Sequence, residues 1–135
     1  MIGIDTNILL RWILDIRDPD DSSDQIDRVE NLIANSGEQF FVNHIVIAET
    51  IWVLRRKVQQ KKTSIAEAVE RILLSVNVTV HDVDVVRAAL VSFVKYPGDF
   101  SDHLIGEINK LNGCRMTLTF DRAAAKSPLF SELQR

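Results

Sequence analysis

The sequence is poor in several features, and each shortage narrows the class of protein. Cysteine occurs once, at position 114, so no disulfide can form within the chain. A lone cysteine suits a reducing cytosol, and we expect Cys114 to be a small buried hydrophobic residue. No apolar run approaches the roughly 20 residues of a membrane span. The N-terminus has no basic segment ahead of an apolar one, which argues against a secretion signal. We therefore expect a cytoplasmic protein.

An excess of positive charge is also missing. The net charge is −3 over 135 residues, so binding of RNA or DNA would require a local basic patch or a metal ion. Apolar residues make up 46% of the chain and charged residues 26%, which is typical of a globular protein and not of a disordered one. We find no linker or internal repeat, and the length suits one domain. We therefore predict a single domain over residues 1–135.

Short apolar runs alternate with pairs of helical segments along the chain. The runs predict strands at 2–4, 39–43, 78–80 and 116–120. Helices are predicted at 8–14, 25–37, 44–60, 63–75, 84–96 and 99–113, with a polar loop at 18–24 and a short final helix at 122–126. Ser64 and Glu67 have capping-box spacing, which predicts a helix start at that point. The order predicts an α/β fold, a three-layer α/β/α sandwich with a mainly parallel sheet, whose ligand crevice lies at the carboxyl ends of the strands.

Four carboxylates stand where such a fold would gather them. Asp5 ends the first predicted strand and Asp121 follows the last one, while Asp102 and Glu49 lie in helices. At an effective dielectric near 20, two like charges about 4 Å apart repel by roughly 4 kcal/mol. Protonation or a bound cation relieves such repulsion. Oxygen ligands alone select Mg²⁺ or Mn²⁺, and such a site supports attack of water on a phosphodiester.

Zinc is not expected from the sequence. His44, His81 and His103 are scattered and share no ligand spacing, and the single cysteine adds no partner to them. A role for His103 as a general base is disfavoured, because a helix turns it about 100° away from its neighbour Asp102.

Each acid also has an ordinary structural interpretation. Asp5 could cap the first helix, Asp121 could be a turn residue, and Asp102 could interact with a helix dipole. Asp99 is the better candidate for the N-cap of the helix that carries Asp102.

Glu49 lies one helical turn from Ile45, Trp52 and Val53, so we expect it on a buried face, where a buried ion pair is the alternative to a metal ligand. Asn7 and Thr119 form a second tier of candidates. Either could contact phosphate or a carboxylate, or be a turn residue and a strand residue respectively.

Four stretches of the sequence together resemble the PIN-domain ribonucleases, and most closely the VapC-type toxins of toxin–antitoxin pairs. They are "IGIDTNILL" at the N-terminus, "AET" around Glu49, "DFSDHLIG" at 99–106 and "TLTFDR" at 117–122. The resemblance implies a Mg²⁺- or Mn²⁺-dependent endoribonuclease that forms a homodimer and is inhibited by a cognate VapB-like antitoxin. The resemblance assigns metal binding and catalysis to an acidic quartet, which is Asp5, Glu49, Asp102 and Asp121. It also matches Asn7, Thr119 and Asp99 to polar or acidic positions beside that quartet.

The sequence is also compatible with two other functions. A phosphatase of the haloacid-dehalogenase kind also places an Asp at the end of its first strand, but it normally has a second Asp where this chain has Asn7. A PIN-like module that binds RNA or protein without catalysis is the other alternative. A covalent phosphate on Asp5 would favour the phosphatase, and a failure to bind Mn²⁺ would favour the binding module.

A basic cluster at 55–62, "RRKVQQKK", has two interpretations. It could guide an RNA backbone toward the acids. It could equally be the solvated end of a helix, where cations interact favourably with the dipole.

Overall fold

The computed structural model describes residues 1–14 and 24–134. Within these ranges the chain alternates strands and helices in the predicted order, so the α/β/α architecture is confirmed. The predicted polar loop at 18–24 lies outside the described residues except for Asp24, which begins the second helix.

The strands form two parallel sheets. β1 (Ile2–Gly3), β2 (Phe40–Val42) and β3 (Val78–Val80) make one sheet in that order. β4 (Thr117–Thr119) pairs with β5 (Phe130–Glu132) in a second sheet. The parallel orientation is as predicted, whereas β5 was not anticipated. Because β4 pairs with β5 and β1 pairs with β2, the first and last predicted strands end in different sheets.

Six α-helices and one short 3₁₀ helix connect these strands in the described part of the chain. They are α1 (Thr6–Ile13), α2 (Asp24–Asn35), α3 (His44–Arg56), α4 (Lys62–Leu73), α5 (Val83–Lys95), α6 (Phe100–Leu111) and the 3₁₀ helix (Ala124–Lys126). α3 ends four residues before its predicted end at 60. α4 begins at Lys62, so the predicted start at Ser64 was wrong and Ser64 lies inside the helix. Lys62 donates to the carbonyl oxygens of Tyr96 and Gly98, which holds the start of α4 at this position.

The hydrophobic core lies between the three-stranded sheet and the helices. Phe40 and Val42 of β2 are fully buried, as expected for the central strand of the sheet. β3 alternates, with Val78 and Val80 buried and Thr79 exposed. α3 contributes Ile51 and Leu54, and α1, α4, α5 and α6 add apolar side chains from their inner faces, among them Leu9, Ile65, Val86, Phe93 and Phe100. This core fixes α3 beside α6 and so positions the cleft described below.

The segment after α6 is exposed. Cys114 is exposed, so its predicted burial was wrong. Met116, Leu118 and Phe120 also expose much of their surface, because β4 packs against β5 instead of entering the larger sheet. No helix in residues 1–14 and 24–134 is long and apolar enough to cross a membrane.

Candidate active site

Three acidic and three basic side chains line one cleft of about 580 Å³. The acids are Asp99 and Asp102, at the start of α6, and Asp121, which follows β4. The bases come from the end of α3 and the start of α4. The described lining residues are Arg55, Arg56, Gln59, Lys62, Pro97, Gly98, Asp99, Asp102, Asp121 and Ala123.

The break before α6 positions two of the acids. Gly98 has a φ of +109°, which favours glycine and lets the chain turn sharply into the helix. Asp99 is the N-cap of α6, as predicted. The carboxylate of Asp102 accepts a hydrogen bond from the backbone N–H of Asp99 at 3.2 Å. Both acids are therefore held at the same helix end, where the dipole favours negative charge.

Asp121 is held by the turn that follows β4. Its Oδ1 accepts hydrogen bonds from the backbone N–H groups of Ala123 at 2.8 Å and Ala124 at 3.3 Å. The hydroxyl oxygen of Thr119 accepts from the N–H of Asp121 at 3.0 Å. Thr119 thus fixes the backbone of Asp121. Asp121 is a turn residue, which is the ordinary structural role that its sequence position also predicted.

Burial and neighbouring negative charges both act on the carboxyl group of Asp102. Burial raises the pKa of its carboxyl group, and the negative charges of Asp121 and Asp99 raise it further, while the hydrogen bond from Asp99 opposes the rise. Asp102 and Asp121 are therefore close enough to interact, although they lie 19 residues apart in the sequence. A cation between these carboxylates would relieve the repulsion.

The cations of the cleft are partly committed to other groups. Arg56 forms an ion pair with Asp99 at 2.8 Å between guanidinium and carboxylate. The ammonium group of Lys62 donates to two backbone carbonyls and lies 4.7 Å from the centroid of the Phe93 ring. Burial lowers the pKa of Lys62, and the charge of Arg55 lowers it further. These three bases belong to the cluster at 55–62, so part of that cluster faces the acids and is not only a solvated helix end.

Asp102→Asn should stabilise the metal-free protein at neutral pH. A carboxyl group whose pKa is raised by folding favours the folded state below its unfolded pKa, and this contribution disappears as the pH rises through the folded value. Asn keeps the acceptor for Asp99 and removes the charge. Because Asp102 is partly exposed, we expect a gain of only about 0.5 kcal/mol, or roughly 2 °C in Tm. The gain should be larger at pH 8 than at pH 5 in thermal melts with EDTA. A Tm for Asp102→Asn below that of the wild type at pH 8 would contradict the electrostatic argument.

Asp5 and Asn7 are the two candidate site residues at the N-terminus. Asp5 is the N-cap of α1, and its Oδ1 accepts from the backbone N–H of Ile8 at 3.1 Å. Asn7 lines a separate cleft between α1 and α2 together with Arg11 and Gln25. Neither is among the described residues that line the cleft of Asp102. A role for either residue in a metal site stays a prediction.

Glu49 is exposed, so the predicted burial of its helix face was wrong. Its neighbours Ile45 and Trp52 are 62% and 47% exposed. The apolar residues of α3 that enter the core lie on the opposite side, at Ile47, Ile51 and Leu54. Glu49 does not line the cleft of Asp102 within the described lining, and its role as a ligand likewise stays a prediction.

The histidines are not all scattered. His103 is buried, and its Nε2 lies 3.1 Å from the carbonyl oxygen of Pro97. Burial lowers the pKa of His103, which favours the neutral ring of a core residue. His44 and His81 meet each other and Asp82, so the expectation that no histidine cluster exists was wrong. Sequence spacing missed this cluster because two neighbouring parallel strands, 38 residues apart at their paired ends Val42 and Val80, bring it together.

The chain matches the model of one protein family and is similar to a solved structure. The model of the PIN domain matches residues 2–127. The comparison with curated proteins gives no match. Among solved structures, a crystal structure of VapC20 from Mycobacterium tuberculosis, described as a toxin that cleaves the sarcin–ricin loop, is 18% identical. The similarity covers 96% of each chain with a TM-score of 0.43.

Proposed function

The chain belongs to the PIN-domain family, and from this premise we propose that it is a metal-dependent endoribonuclease acting as the toxin of a type II toxin–antitoxin pair. Family membership supports a nuclease and favours it over the phosphatase interpretation. The observation that carries the proposal is the meeting of Asp99, Asp102 and Asp121 in one cleft. We treat residues 1–135 as one nuclease domain, in line with a family match over 2–127.

Mg²⁺ or Mn²⁺ is the cofactor that this donor set fits. The cleft offers carboxylate oxygens, which these hard ions prefer. The pKa of Asp102 is raised first by burial and then by the charges of Asp121 and Asp99, and a bound cation would offset both effects. Asp102 and Asp121 would hold the ion, with Asp99 beside them. When bound, the ion lowers the pKa of a water and polarises the phosphate.

The residues of the chain supply positioning and charge. Asp102 is fixed by the Asp99 N–H and Asp121 by the N–H groups of the following turn, so both carboxylates are oriented before substrate arrives. Arg55 and Lys62 place positive charge on the cleft wall, where they would attract the phosphates on either side of the scissile bond. Arg56 neutralises Asp99 through its ion pair.

Asp5 and Glu49 enter the proposal through the resemblance. Both are exposed carboxylates, and the resemblance assigns them to the same acidic quartet as Asp102 and Asp121. Asn7 would contact the substrate or a ligand beside Asp5. The variant Asp5→Asn tests whether the working site includes Asp5 or is restricted to the cleft of Asp102 and Asp121. A loss of cleavage equal to that of Asp121→Asn would mean that the working site spans both sheets, and an unchanged rate would restrict it to the cleft.

The partners we propose are an RNA substrate, a VapB-like antitoxin and a second copy of the chain. An antitoxin could insert an Arg or Lys among the carboxylates, because their negative potential attracts it. A dimer would cover apolar side chains that one copy leaves exposed on and beside β4, such as Leu118 and Met116. We place the protein in the cytoplasm, where RNA and a reducing environment for Cys114 are found. Co-expression with the neighbouring reading frame and light scattering test the antitoxin and the dimer.

Sequencing of RNA 5′ ends after brief induction tests the activity itself. We expect new ends at a limited set of positions in cells that express the wild type. Cells that express Asp84→Asn should show the same ends, because Asp84 is an exposed acid at the start of α5 and does not line the cleft. Cells that express Asp121→Asn should show none. Absence of new ends with the wild type would contradict the proposal.

Arg55→Gln should weaken RNA binding. Removing one phosphate contact is expected to lower the affinity about threefold to tenfold and to reduce the slope of log K against log salt by about 0.7. Arg71→Gln is the matched control, because Arg71 is an exposed arginine of α4 outside this cleft. Fluorescence anisotropy with a labelled single-stranded RNA in EDTA measures both variants. Equal RNA affinities for Arg55→Gln and Arg71→Gln would show that Arg55 does not contact the RNA.

A further inference from the structure

Two histidines and one aspartate meet at the carboxyl ends of β2 and β3. β2 ends at Val42, and α3 begins at His44. β3 ends at Val80 and is followed directly by His81 and Asp82. Val42 pairs with Val80, and the backbone N–H of His81 donates to the carbonyl of Val42 at 2.9 Å. The parallel register therefore brings the two strand-to-helix junctions side by side.

The ligand atoms of this cluster converge. Oδ2 of Asp82 lies 3.2 Å from Nε2 of His81 and 3.8 Å from Nδ1 of His44. The two imidazole rings are stacked, with centroids 4.3 Å apart and planes 11° apart. Because the nitrogen lone pairs lie in the ring planes, one ring has to rotate about its Cβ–Cγ bond for both to point at one ion. Each residue offers one ligand atom, and the three atoms lie within 4.8 Å of one another. Metal–ligand bonds of about 2.0–2.2 Å at tetrahedral angles would separate ligands by roughly 3.4 Å, which lies between the two measured distances.

Two features of the cluster point to a missing ligand. Nδ1 of His44 is buried and has no hydrogen-bond partner among the described residues, and such an unsatisfied group is destabilising. Asp82 occupies the N-cap position of α5, yet its side chain makes no capping hydrogen bond. It adopts left-handed backbone angles of 48° and 56° and lies against the two rings instead.

We propose that His44, His81 and Asp82 bind a Zn²⁺ ion. Imidazole nitrogens favour Zn²⁺ over Mg²⁺, which takes oxygen ligands in near-octahedral geometry. Three protein ligands leave a fourth position for water. The ion would satisfy Nδ1 of His44 and join the β2–α3 junction to the β3–α5 junction. This site shares no residue with the cleft of Asp102 and does not depend on the proposed nuclease activity.

Calorimetric titration of the chelator-treated full chain with ZnCl₂ tests the site. We expect about one Zn²⁺ per chain and a higher Tm in its presence, since a ligand that binds the folded state stabilises it. Asp82→Asn should weaken Zn²⁺ binding at least about tenfold. Asn also tolerates left-handed backbone angles, so this variant should keep the fold. His81→Ala is the second variant, and circular dichroism checks that both variants are folded.

Two control variants show whether Zn²⁺ binds at this cluster or at other acids. Asp84→Asn makes the same change two residues further on, at an acid outside the cluster, and should leave Zn²⁺ affinity unchanged. Asp121→Asn should also leave it unchanged, and excess Mg²⁺ should not compete. The proposal is overturned if the wild type binds no Zn²⁺, or if Asp82→Asn and His81→Ala bind as the wild type does. It is equally overturned if only Asp121→Asn abolishes binding, because the ion would then lie in the acidic cleft.

Discussion

Asp121→Asn should reduce the rate of RNA cleavage in Mg²⁺ by at least about 100-fold. The substitution removes a negative charge from the cleft that also contains Asp102, so it weakens metal binding and activation of water together. Asn keeps the Oδ1 acceptor that holds the N–H groups of Ala123 and Ala124. The turn should therefore stay folded, and the loss should report on chemistry. Single-turnover assays with purified protein and a short RNA measure the rate.

Asp102→Asn is expected to cause a loss of similar size while slightly raising the Tm in EDTA. This opposite effect on activity and stability is the signature of a charge kept for function. Asp84→Asn is the matched control and should cleave at the wild-type rate. If Asp121→Asn and Asp102→Asn both retained that rate, the acidic cleft would not be the nuclease site, even if the chain cleaved RNA elsewhere.

The order of elements could be read from the sequence because local signals determine it. Hydrophobic periodicity placed the helices, and the Pro97–Gly98 break fixed the start of α6 with Asp99 as its cap. Strand partners could not be read in the same way. β5 is three residues long, and the pairing of β4 with β5 depends on long-range packing that no local pattern encodes. One contact that contributes is Gly106 of α6, where a side chain would collide with the Phe130 ring of β5.

The candidate site could likewise be predicted from the sequence only in part. Asp102 was predicted at a helix start and Asp121 at the carboxyl end of a strand, and both line the cleft. The burial of Glu49 was misjudged because α3 has apolar residues on more than one face, so spacing alone could not say which face meets the core. The His44–His81–Asp82 cluster was missed because its ligands approach through strand register and not through sequence spacing.

Leu54→Ala should lower the free energy of unfolding by about 3 kcal/mol, or roughly 10 °C in Tm. Leu54 is fully buried on α3, and its truncation leaves a cavity in the core that holds α3 beside α6. Its backbone carbonyl also accepts the N–H of Gln60 in the turn between α3 and α4, and Leu54→Ala leaves this hydrogen bond in place. Thermal and urea melts measure the loss.

Leu74→Ala removes the same atoms from a position that is 69% exposed. It should change the free energy of unfolding by no more than about 0.5 kcal/mol, because the side chain fills no cavity. Equal losses for the two variants would show that the core does not lie where α3 meets the sheet. Because Leu54 itself does not line the cleft, folded Leu54→Ala protein at low temperature should still cleave RNA, which separates loss of packing from loss of the acids.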